Sequence, residues 1–403
     1  MDKPQQLLKN FRARFGTSAA VYRAPGRVNL IGEHTDYNEG FVLPAAIGFS
    51  CWTAIAPRPD RELLIHSEIF NESVEVNLDH LDAHGTGKWH DYPIGVAFIF
   101  AQAGKRLHGA NLYISGNVPL GAGLSSSAAI EVATGYALLA ASDYPVDRKQ
   151  LALFCQRAEN EFIGARSGIM DQYVSCFGQA GRAILLDCRS LESRPLPLPP
   201  SIHLVICNTM VKHQIVGTSE YNTRRAECEG AVRRLAAALP NIHALRDVTL
   251  QQLEQYRLRL SDTLYKRCRH VITENERVAR FAAALERGDI AGLGPLMAES
   301  HRSLRYDYEV SCRELDLMVE IASRQSGVHG ARMTGGGFGG CTINLVDAAA
   351  SAEFQRRVAA EYAAATGIHP DIYICEASQG AEEVYSSVEH ANRAAGQRLQ
   401  ENA

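Results

Sequence analysis

Three short segments of the chain contain more glycine and polar residues than turns require, and the first is residues 26–40, GRVNLIGEHTDYNEG. Arg27 lies in a predicted strand, and Glu33, His34 and Asp36 follow within four positions beside a glycine turn. Gathering a cation, two carboxylates and an imidazole costs free energy unless something polar is bound. The segment therefore indicates a site for a polar ligand, and a solvated hairpin loop is the alternative for this segment alone.

The second segment, residues 119–129, reads PLGAGLSSSAA. Gly121 and Gly123 can adopt backbone conformations closed to other residues, and the serines after them begin a predicted helix. Free N–H groups and the dipole at a helix N-terminus favour an anion, so this segment is suited to hold phosphate groups. It is not a Walker loop, because the pattern GxxxxGK(S/T) occurs nowhere in the sequence. The alternative is a serine N-cap after a glycine turn.

The third segment, residues 332–341, reads RMTGGGFGGC. Gly335, Gly337 and Gly340 satisfy the pattern GxGxxG, but a strand follows instead of a helix, and no acidic residue stands about 20 positions later in a βαβ unit. A dinucleotide-dependent oxidoreductase is therefore weakly supported. A glycine loop between two strands lets the backbone approach a ligand closely, and a flexible hairpin is the alternative.

Two further carboxylates, Asp171 and Glu159, are candidates for the same chemistry. Asp171 follows Gly-Ile-Met and precedes a short helix-like run, so a helix N-cap is its alternative role. Glu159 lies at the margin of the apolar stripe of a predicted helix, where a partly desolvated carboxylate needs a cation or hydrogen-bond donors. Glu161 lies on the opposite margin, so periodicity alone does not choose between Glu159 and Glu161.

The elements that must position these residues are strands at first and helices later. Short β-branched or alternating runs bounded by turn residues predict strands at 21–31, 41–47, 51–57, 63–66, 74–78 and 183–187. Alanine-rich or amphipathic stretches predict helices at 127–141 and 148–166. The first half of the chain is therefore expected to be a strand-rich unit with helices packed on it.

A proline-rich stretch at 194–200, RPLPLPP, predicts the boundary between two domains, 1–200 and 201–403. Its prolines lack N–H donors, so it can neither continue a helix nor pair centrally in a sheet. The second half predicts strands at 202–207, 341–346 and 371–376 and helices at 220–239, 275–287, 290–304, 312–325 and 352–365. The expected fold class is α+β with two domains.

Composition narrows the class of partner. Among 403 residues, 41 Lys and Arg nearly balance 45 Asp and Glu, and there is no long basic run. The chain therefore lacks the excess of positive charge that is typical of proteins that bind nucleic acids or membrane surfaces. No stretch has about 18 consecutive apolar residues, and the N-terminus lacks the apolar core of a signal peptide. Ten scattered cysteines without a CxxC pair fit a reducing compartment. We expect a cytoplasmic monomer with small-molecule partners, no nucleic acid and no membrane.

Five motifs in order resemble the motif set of the GHMP sugar and metabolite kinases. They are GRVNLIGEHTDYNEG, PLGAGLSSSAA, AENEFIGARSGIMDQ at 158–172, SEYNTRRAECE at 219–229 and RMTGGGFGGC. The first resembles the galactokinase signature specifically, and the resemblance spans residues 23–377. Five motifs in the family's order are not expected by chance.

The resemblance implies ATP-dependent transfer of the γ-phosphoryl group to the anomeric hydroxyl of galactose, which gives α-galactose 1-phosphate and ADP in galactose metabolism. By matching position, Asp171 is implied as the catalytic base or charge stabiliser at the sugar hydroxyl, and Arg27 as the cation beside it. Ser127 and Glu159 match the family's Mg²⁺ ligands, and hard oxygen donors suit that ion.

The resemblance also implies the residues that bind the two substrates. On the galactose side they are Glu33, His34, Thr35, Asp36, Gly168 and Tyr221. On the ATP side they are Gly121, Ala122, Gly123, Leu124, Ser125, Ser126 and Ser127, with Trp89 at the border of the adenine site. The implied fold pairs an N-terminal domain related to a ribosomal-protein fold (S5 domain 2) with a ferredoxin-like C-terminal domain, and the active site lies between them.

The chain departs from the family's common motifs at two loops. Arg166 and Ser167 precede GIMDQ where the family commonly has Pro-Cys, and Gly336 stands where alanine is common. Two other functions stay open beside a galactokinase activity. One is a kinase of a related sugar, such as N-acetylgalactosamine or arabinose. The other is a non-catalytic galactose- and ATP-binding regulator, which the intact run Ser-Ser-Ser-Ala at 125–128 disfavours.

Overall fold

The computed structural model describes residues 3–211 and 219–385, which form an α+β fold. The helices are α1 (Lys3–Phe15), α2 (Asp91–Gln102), α3 (Ser126–Ala141), α4 (Arg148–Arg157), α5 (Met170–Phe177), α6 (Ser219–Ala236), α7 (Leu250–Gln255), α8 (Asp262–Glu286), α9 (Leu293–Ser303), α10 (Arg313–Ser323) and α11 (Ser351–Thr366). The strands are β1 (Ala20–Asn29), β2 (Phe41–Val42), β3 (Pro44–Arg58), β4 (Glu62–Ser67), β5 (Glu72–Asn77), β6 (Gly109–Gly116), β7 (Arg182–Asp187), β8 (Ser193–Pro197), β9 (Ile202–Asn208), β10 (Val328–Thr334), β11 (Cys341–Asp347), β12 (Asp371–Cys375) and β13 (Glu382–Tyr385).

The first half is built on a six-stranded sheet in the order β13-β1-β3-β6-β4-β5. Neighbouring strands are antiparallel except for β4 and β6, which are parallel. Successive side chains of a strand point to opposite faces, so Val21 packs with Leu7 and Phe11 of α1, whereas Tyr22 enters the main core with α3. The strand that carries Arg27 is therefore covered on both faces.

A small sheet, β2-β7-β8, contains the proline-rich stretch. Pro195 and Pro197 lie on β8, at the edge of this sheet, and pair only with β7. An edge strand tolerates proline because one side of its ladder makes no hydrogen bonds. The stretch therefore pairs at an edge, as the missing N–H donors predict.

The second half contains an antiparallel sheet in the order β10-β11-β9-β12 with α10 and α11 packed on it. The 25-residue helix α8 joins this half to the first one. Its C-terminal part places Val278 and Phe281 in the main core, while its N-terminal part places Cys268 and Val271 in a second core with α6 and α7. The two halves are thus held together by continuous packing.

The last described strand crosses back to the first sheet. β13 pairs with β1, with Tyr22 opposite Glu383. It does so although β13 follows all four strands of the second sheet in the sequence and lies far beyond the predicted boundary at residue 200. The division into 1–200 and 201–403 stays a prediction, and residues 386–403 lie outside the described part of the chain.

The predicted helix at 148–166 is wrong as a single regular helix. The α-helical part ends at Arg157, and a π-helical turn, Ala158–Ile163, follows and ends at Gly164, whose φ is 87°. A pattern based on 3.6 residues per turn does not register the extra residue of a wider turn. This turn carries both Glu159 and Glu161.

The predicted helix at 275–287 is too short, because α8 begins at Asp262. The first half of α8 buries the polar residues Arg267, His270 and Glu274. Because these positions are polar, the apolar residues there do not recur at the spacing that predicts a helix. The sequence also left α1, α2, α7, β6, β8, β10 and β13 unpredicted. In the described residues, no helix combines the length and apolar character needed to span a membrane.

Candidate active site

The three glycine-rich segments lie side by side in the fold. Oε1 of Glu33, in the first segment, accepts hydrogen bonds from Thr334 Oγ1 at 3.0 Å and from the Gly335 amide at 2.9 Å, both in the third segment. The Arg27 amide donates to the Leu124 carbonyl of the second segment at 3.1 Å. Segments from both halves of the chain thus form one pocket wall.

Arg27 on β1 and Asp171 in the first turn of α5 form a two-point ion pair. Arg27 Nε lies 2.7 Å from Asp171 Oδ1, and Nη2 lies 2.6 Å from Oδ2. Burial lowers the pKa of the Arg27 guanidinium, but the carboxylates of Asp171 and Glu33 raise it more, so its pKa is raised and it stays charged. The Asp171 side chain remains 24% exposed, which leaves it open to a ligand.

The loop of residues 121–127, called the serine loop below, also contacts Asp171. Ser125 occupies the N-cap position of α3, but its hydroxyl donates to Asp171 Oδ2 and does not cap the helix. Gly121, Gly123 and Ser125 adopt left-handed φ values of 70°, 74° and 58°, and the Gly123 carbonyl accepts a hydrogen bond from Arg27 Nη1 at 2.6 Å. The first turn of the 16-residue helix α3 is therefore left free to meet an anion.

The turn after β1 is buried, in contrast to a solvated hairpin loop. Glu33 is 2% and His34 4% exposed. Nδ1 of His34 lies 2.8 Å from the hydroxyl of Tyr37. Burial, reinforced by the nearby His270 and Arg224, lowers the pKa of His34 well below its usual value. His34 is therefore a neutral imidazole near neutral pH.

Thr35 and Asp36 have different surroundings in this turn. The Thr35 hydroxyl is buried and lies 2.8 Å from the Gly32 carbonyl and 2.6 Å from the Phe41 carbonyl, so it closes the turn. The Asp36 carboxylate packs against Gly168, where an added Cβ would collide with it. Glycine at 168 thus lets the loop 164–168 approach Asp36 closely.

Tyr221, on α6, closes the pocket from the second half of the chain. Its ring centroid lies 5.5 Å from that of His34 and 5.3 Å from that of Tyr37. A Cβ added at Gly336 would lie 3.5 Å from the ring of Tyr221, which is an ordinary van der Waals contact. An alanine at position 336 would therefore fit beside Tyr221 in its present position, so glycine here does not require a different placement of Tyr221.

The structure separates Glu159 from Glu161. Glu159 is 9% exposed, and its Oε2 accepts hydrogen bonds from Ser167 Oγ at 2.6 Å and from Gln172 Nε2 at 2.8 Å. Glu161 is exposed and pairs with Arg157 at 2.8 Å, one helical turn earlier. Burial raises the pKa of Glu159, while its hydrogen bonds partly oppose that rise.

Within the described part of the chain, the donors to the buried Glu159 carboxylate are the neutral side chains of Ser167, Gln172 and Ser127, so a cation would satisfy its charge. Across residues 3–211 and 219–385, no three His, Cys, Asp or Glu side chains gather as a metal-binding group. One carboxylate and one hydroxyl fit Mg²⁺, because this ion keeps several waters and takes further oxygens from substrate phosphates.

The pocket holds several acids close together. Burial, and next the charge of Asp171, raises the pKa of Asp36 to about 7. Burial, and next the charge of Glu159, raises the pKa of Glu131 well above its usual value. Arg27 contacts Asp171, and Arg332 Nη2 lies 3.2 Å from Glu33 Oε1. The pocket is thus suited to ligands that bring hydroxyl donors or positive charge.

An apolar cleft opens beside the serine loop. Trp89 lines it together with Phe70, whose ring stacks on Trp89 at 5.8 Å and 14°. Ser126 and Ser127 form the end of the cleft next to the first turn of α3. A flat aromatic ligand placed here would point its substituents at the helix N-terminus.

Five site residues were missed by the sequence analysis. His270 Nε2 lies 3.0 Å from the Glu33 carbonyl, and Glu274 accepts from the Gly32 amide at 2.9 Å, so both support the turn from α8. The other three, Ser167, Gln172 and Glu131, surround Glu159. Gln172 Nε2 also donates to Glu131 Oε2 at 3.0 Å. Glu131 had a usable signal, since it is a lone carboxylate within the otherwise apolar α3.

Three family models match the chain. The galactokinase galactose-binding signature matches residues 9–57, the GHMP kinases N terminal domain matches 91–179, and the GHMP kinases C terminal matches 281–364. The galactokinase of Roseiflexus sp. (strain RS-1) is 44% identical over 376 residues, which are 93% of this chain and 96% of that one. The galactokinase of Chloroflexus aggregans is 46% identical over 92% of this chain and 94% of its own length.

Two solved structures, both of kinases, are similar to this chain in fold. The crystal structure of Lactococcus lactis galactokinase complexed with galactose superposes with a TM-score of 0.91 and 35% identity, over 95% of this chain and 100% of that chain. The Methanococcus jannaschii mevalonate kinase shares the fold, with a TM-score of 0.65 and 18% identity over 90% of this chain and 99% of that chain.

Proposed function

The chain belongs to the galactokinase family of the GHMP kinases, and we propose that its pocket binds galactose and ATP and phosphorylates the C1 hydroxyl of the sugar. The products are α-galactose 1-phosphate and ADP. The observation that carries the residue assignment is the ion pair of Arg27 and Asp171, which lies between the buried turn and the serine loop.

Asp171 and Arg27 act at the hydroxyl that is phosphorylated. Asp171 accepts a hydrogen bond from the C1 hydroxyl and takes its proton as the oxygen attacks the γ-phosphorus. The bond from that phosphorus to the bridging oxygen of ADP then breaks, and ADP leaves. Phosphoryl transfer needs positioning and charge neutralisation more than a strong base, so a carboxylate held at two points by an arginine suits the step.

The galactose side is formed by the buried turn and by α6. Asp36 and Glu33 supply acceptor oxygens, His34 supplies a neutral ring nitrogen, and Tyr221 supplies an aromatic wall. Neighbouring sugar hydroxyls match such a set of acceptors. Gly168 allows the loop to lie against the sugar site, and Thr35 contributes by closing the turn that carries the acceptors.

The ATP side is formed by the serine loop and the cleft at Trp89. The phosphates lie along the backbone of Gly121, Ala122, Gly123, Leu124, Ser125, Ser126 and Ser127, at the N-terminus of α3. The cleft lined by Trp89 and Phe70 takes the adenine. The γ-phosphoryl group would then lie near Asp171, because Ser125 belongs to this loop and its hydroxyl donates to Asp171.

Ser127 and Glu159 would hold Mg²⁺ together with the ATP phosphates. The ion, when bound, neutralises charge on the transferred group. The buried Glu159 carboxylate and its neutral donors support this assignment.

All residues that we assign to galactose and ATP belong to one chain, so we assign the activity to a monomer. We place it in the cytoplasm, where ATP and free sugars meet.

The activity is tested by ADP release from the purified chain with galactose, ATP and Mg²⁺, measured with a coupled assay. We expect ADP release that needs all three components. A control without galactose gives the background rate of ATP hydrolysis. Release no faster than this background would contradict the proposed function, provided that the protein is folded by circular dichroism.

A further inference from the structure

The side chain of Ser167 is hydrogen-bonded to Glu159, the carboxylate assigned above to the metal. Ser167 Oγ lies 2.6 Å from Glu159 Oε2, and Gln172 Nε2 lies 2.8 Å from the same oxygen. Both of these bonds end on Oε2, and the Ser127 hydroxyl is a third hydrogen-bond partner of the same carboxylate. Two donors on one oxygen also fix the orientation of the carboxylate.

The loop that carries Ser167 is held by one face of α6. Arg225 Nη1 donates to the carbonyls of Arg166 at 2.9 Å and Ser167 at 3.3 Å. Asn222 Oδ1 accepts from the Arg166 amide at 3.1 Å, and Glu229 pairs with the Arg166 side chain at 2.6 Å. Asn222, Arg225 and Glu229 follow each other at three and four positions, so they share one helix face. These three residues are called the loop clasp below.

We propose that Ser167 is a positioning residue that orients Glu159 for a metal–nucleotide complex, and that the loop clasp holds Ser167 in place. This inference rests on the proposed function, because it takes Glu159 as a metal ligand. In this role Ser167 acts through Glu159 and not directly on a substrate. It restricts the orientations of the Glu159 carboxylate, so that a metal meets a carboxylate that is already oriented.

The same helix serves both sides of the site. Tyr221, at the start of α6, lies one position before Asn222 of the loop clasp. The helix that closes the sugar pocket therefore also supports the loop next to the metal ligand. One structural element thus sets the distance between the sugar side and the metal side.

A purely structural role for Ser167 gives a different expectation. Its hydroxyl also lies 3.2 Å from Asn160 Oδ1, so its loss could affect stability alone. The hydroxyl has one hydrogen, and the shorter distance is the one to Glu159. Metal–nucleotide binding separates the two roles, because a structural role changes the melting temperature without changing this affinity.

The test is calorimetric titration of a non-hydrolysable ATP analogue with Mg²⁺ into the full chain, without galactose. Ser167→Ala should weaken this binding about tenfold, as expected for the loss of a hydrogen bond to a charged group. Ser167→Thr keeps the hydroxyl and should restore the affinity. Titration of the analogue in excess chelator, and of galactose alone, should be the same in all three proteins.

Two further variants act as matched tests of the loop clasp. Arg225→Ala should weaken analogue binding in the same direction, because the loop loses two carbonyl contacts. Arg234→Ala, on the exposed side of the same helix, should leave it unchanged. In a Glu159→Gln background, Ser167→Ala should cause no further loss, because the group that it positions has been altered.

The outcomes separate the inference from the proposed function. If Glu159→Gln weakens analogue binding and Ser167→Ala does not, the positioning role is wrong and the metal assignment stands. If Glu159→Gln binds the analogue as the unaltered chain does, the metal assignment and the positioning role both fail. Thermal melts of each variant show whether a loss of binding is a loss of folded protein.

Discussion

Arg27 and Asp171 lie 144 residues apart in the sequence and meet through two hydrogen bonds of 2.7 Å and 2.6 Å. The pair joins β1 of the first sheet to the first turn of α5. Ser125 of the serine loop adds a third bond to the same carboxylate. Strand β1, the serine loop and α5 are therefore held together at one carboxylate.

Asp171→Asn should reduce turnover to near background while galactose and ATP bind within about tenfold of the unaltered chain. The amide keeps the shape of the side chain but loses its charge and its capacity to take a proton. The measurements are the coupled ADP assay and calorimetric titration of each substrate. Turnover close to that of the unaltered chain would remove Asp171 from the reaction.

Galactose binding should depend on pH through Asp36. Its pKa is raised to about 7 by burial and by the charge of Asp171, so the carboxylate that we assign to the sugar hydroxyls becomes protonated as pH falls through 7. Galactose should therefore bind about tenfold more weakly at pH 6 than at pH 8. Titration calorimetry at both pH values checks this.

Asp36→Asn serves as the control for that pH dependence. It should bind galactose weakly at both pH values and lose the tenfold difference, while ATP binding stays close to that of the unaltered chain. The low pKa of His34 keeps this imidazole neutral in the same pH range, so it does not produce a competing change. Equal galactose affinity of the unaltered chain at pH 6 and pH 8 would refute the role of Asp36.

Glu159→Gln should raise the Mg²⁺ concentration needed for half of the maximal rate, because a neutral amide is a poorer ligand for a hard cation. Glu161→Gln is the matched control on the same turn, since its side chain is exposed and paired with Arg157. The ADP assay over a series of Mg²⁺ concentrations compares the two. Greater sensitivity of the Glu161 variant would show that the metal assignment is misplaced.

Glu131→Gln should stabilise the fold increasingly as pH rises. Burial raises the pKa of Glu131, so the folded chain keeps a proton that the unfolded chain releases above its ordinary pKa. The unaltered chain therefore loses stability as pH rises from about 5 to 7, by up to about 1.4 kcal/mol per pH unit, and the variant avoids this loss. Denaturant unfolding at pH 5, 6 and 7 measures the difference, and a constant gap would contradict the prediction.

The sequence predicted the candidate site residues that the structure brings together better than it predicted the residues that support them. Glycine spacing located the serine loop, and the motif order identified Asp171 as a partner of Arg27. Neither spacing nor periodicity could locate Ser167, because its role depends on a π-helical turn that brings Glu159 inward. The apolar period of the sequence does not mark that turn, because it assumes 3.6 residues per turn throughout.

The fold shows the same division between local and distant information. No strand was predicted at β8, but its prolines excluded a central position in a sheet, and β8 pairs at an edge. The pairing of β13 with β1 could not be predicted, because it joins residues more than 350 positions apart. The start of α8 was missed because Arg267, His270 and Glu274 are buried through ion pairs and hydrogen bonds that only the tertiary fold provides.

The most direct test of the central claim is the phosphorus NMR spectrum of the product made from galactose, ATP and Mg²⁺. We predict a phosphate on the anomeric carbon, because Arg27 and Asp171 are assigned to the C1 hydroxyl. Glucose should react far more slowly, since a misplaced C4 hydroxyl leaves buried acceptors unpaired at about 1–3 kcal/mol each. A phosphate at C6, or equal rates for glucose and galactose, would contradict the account.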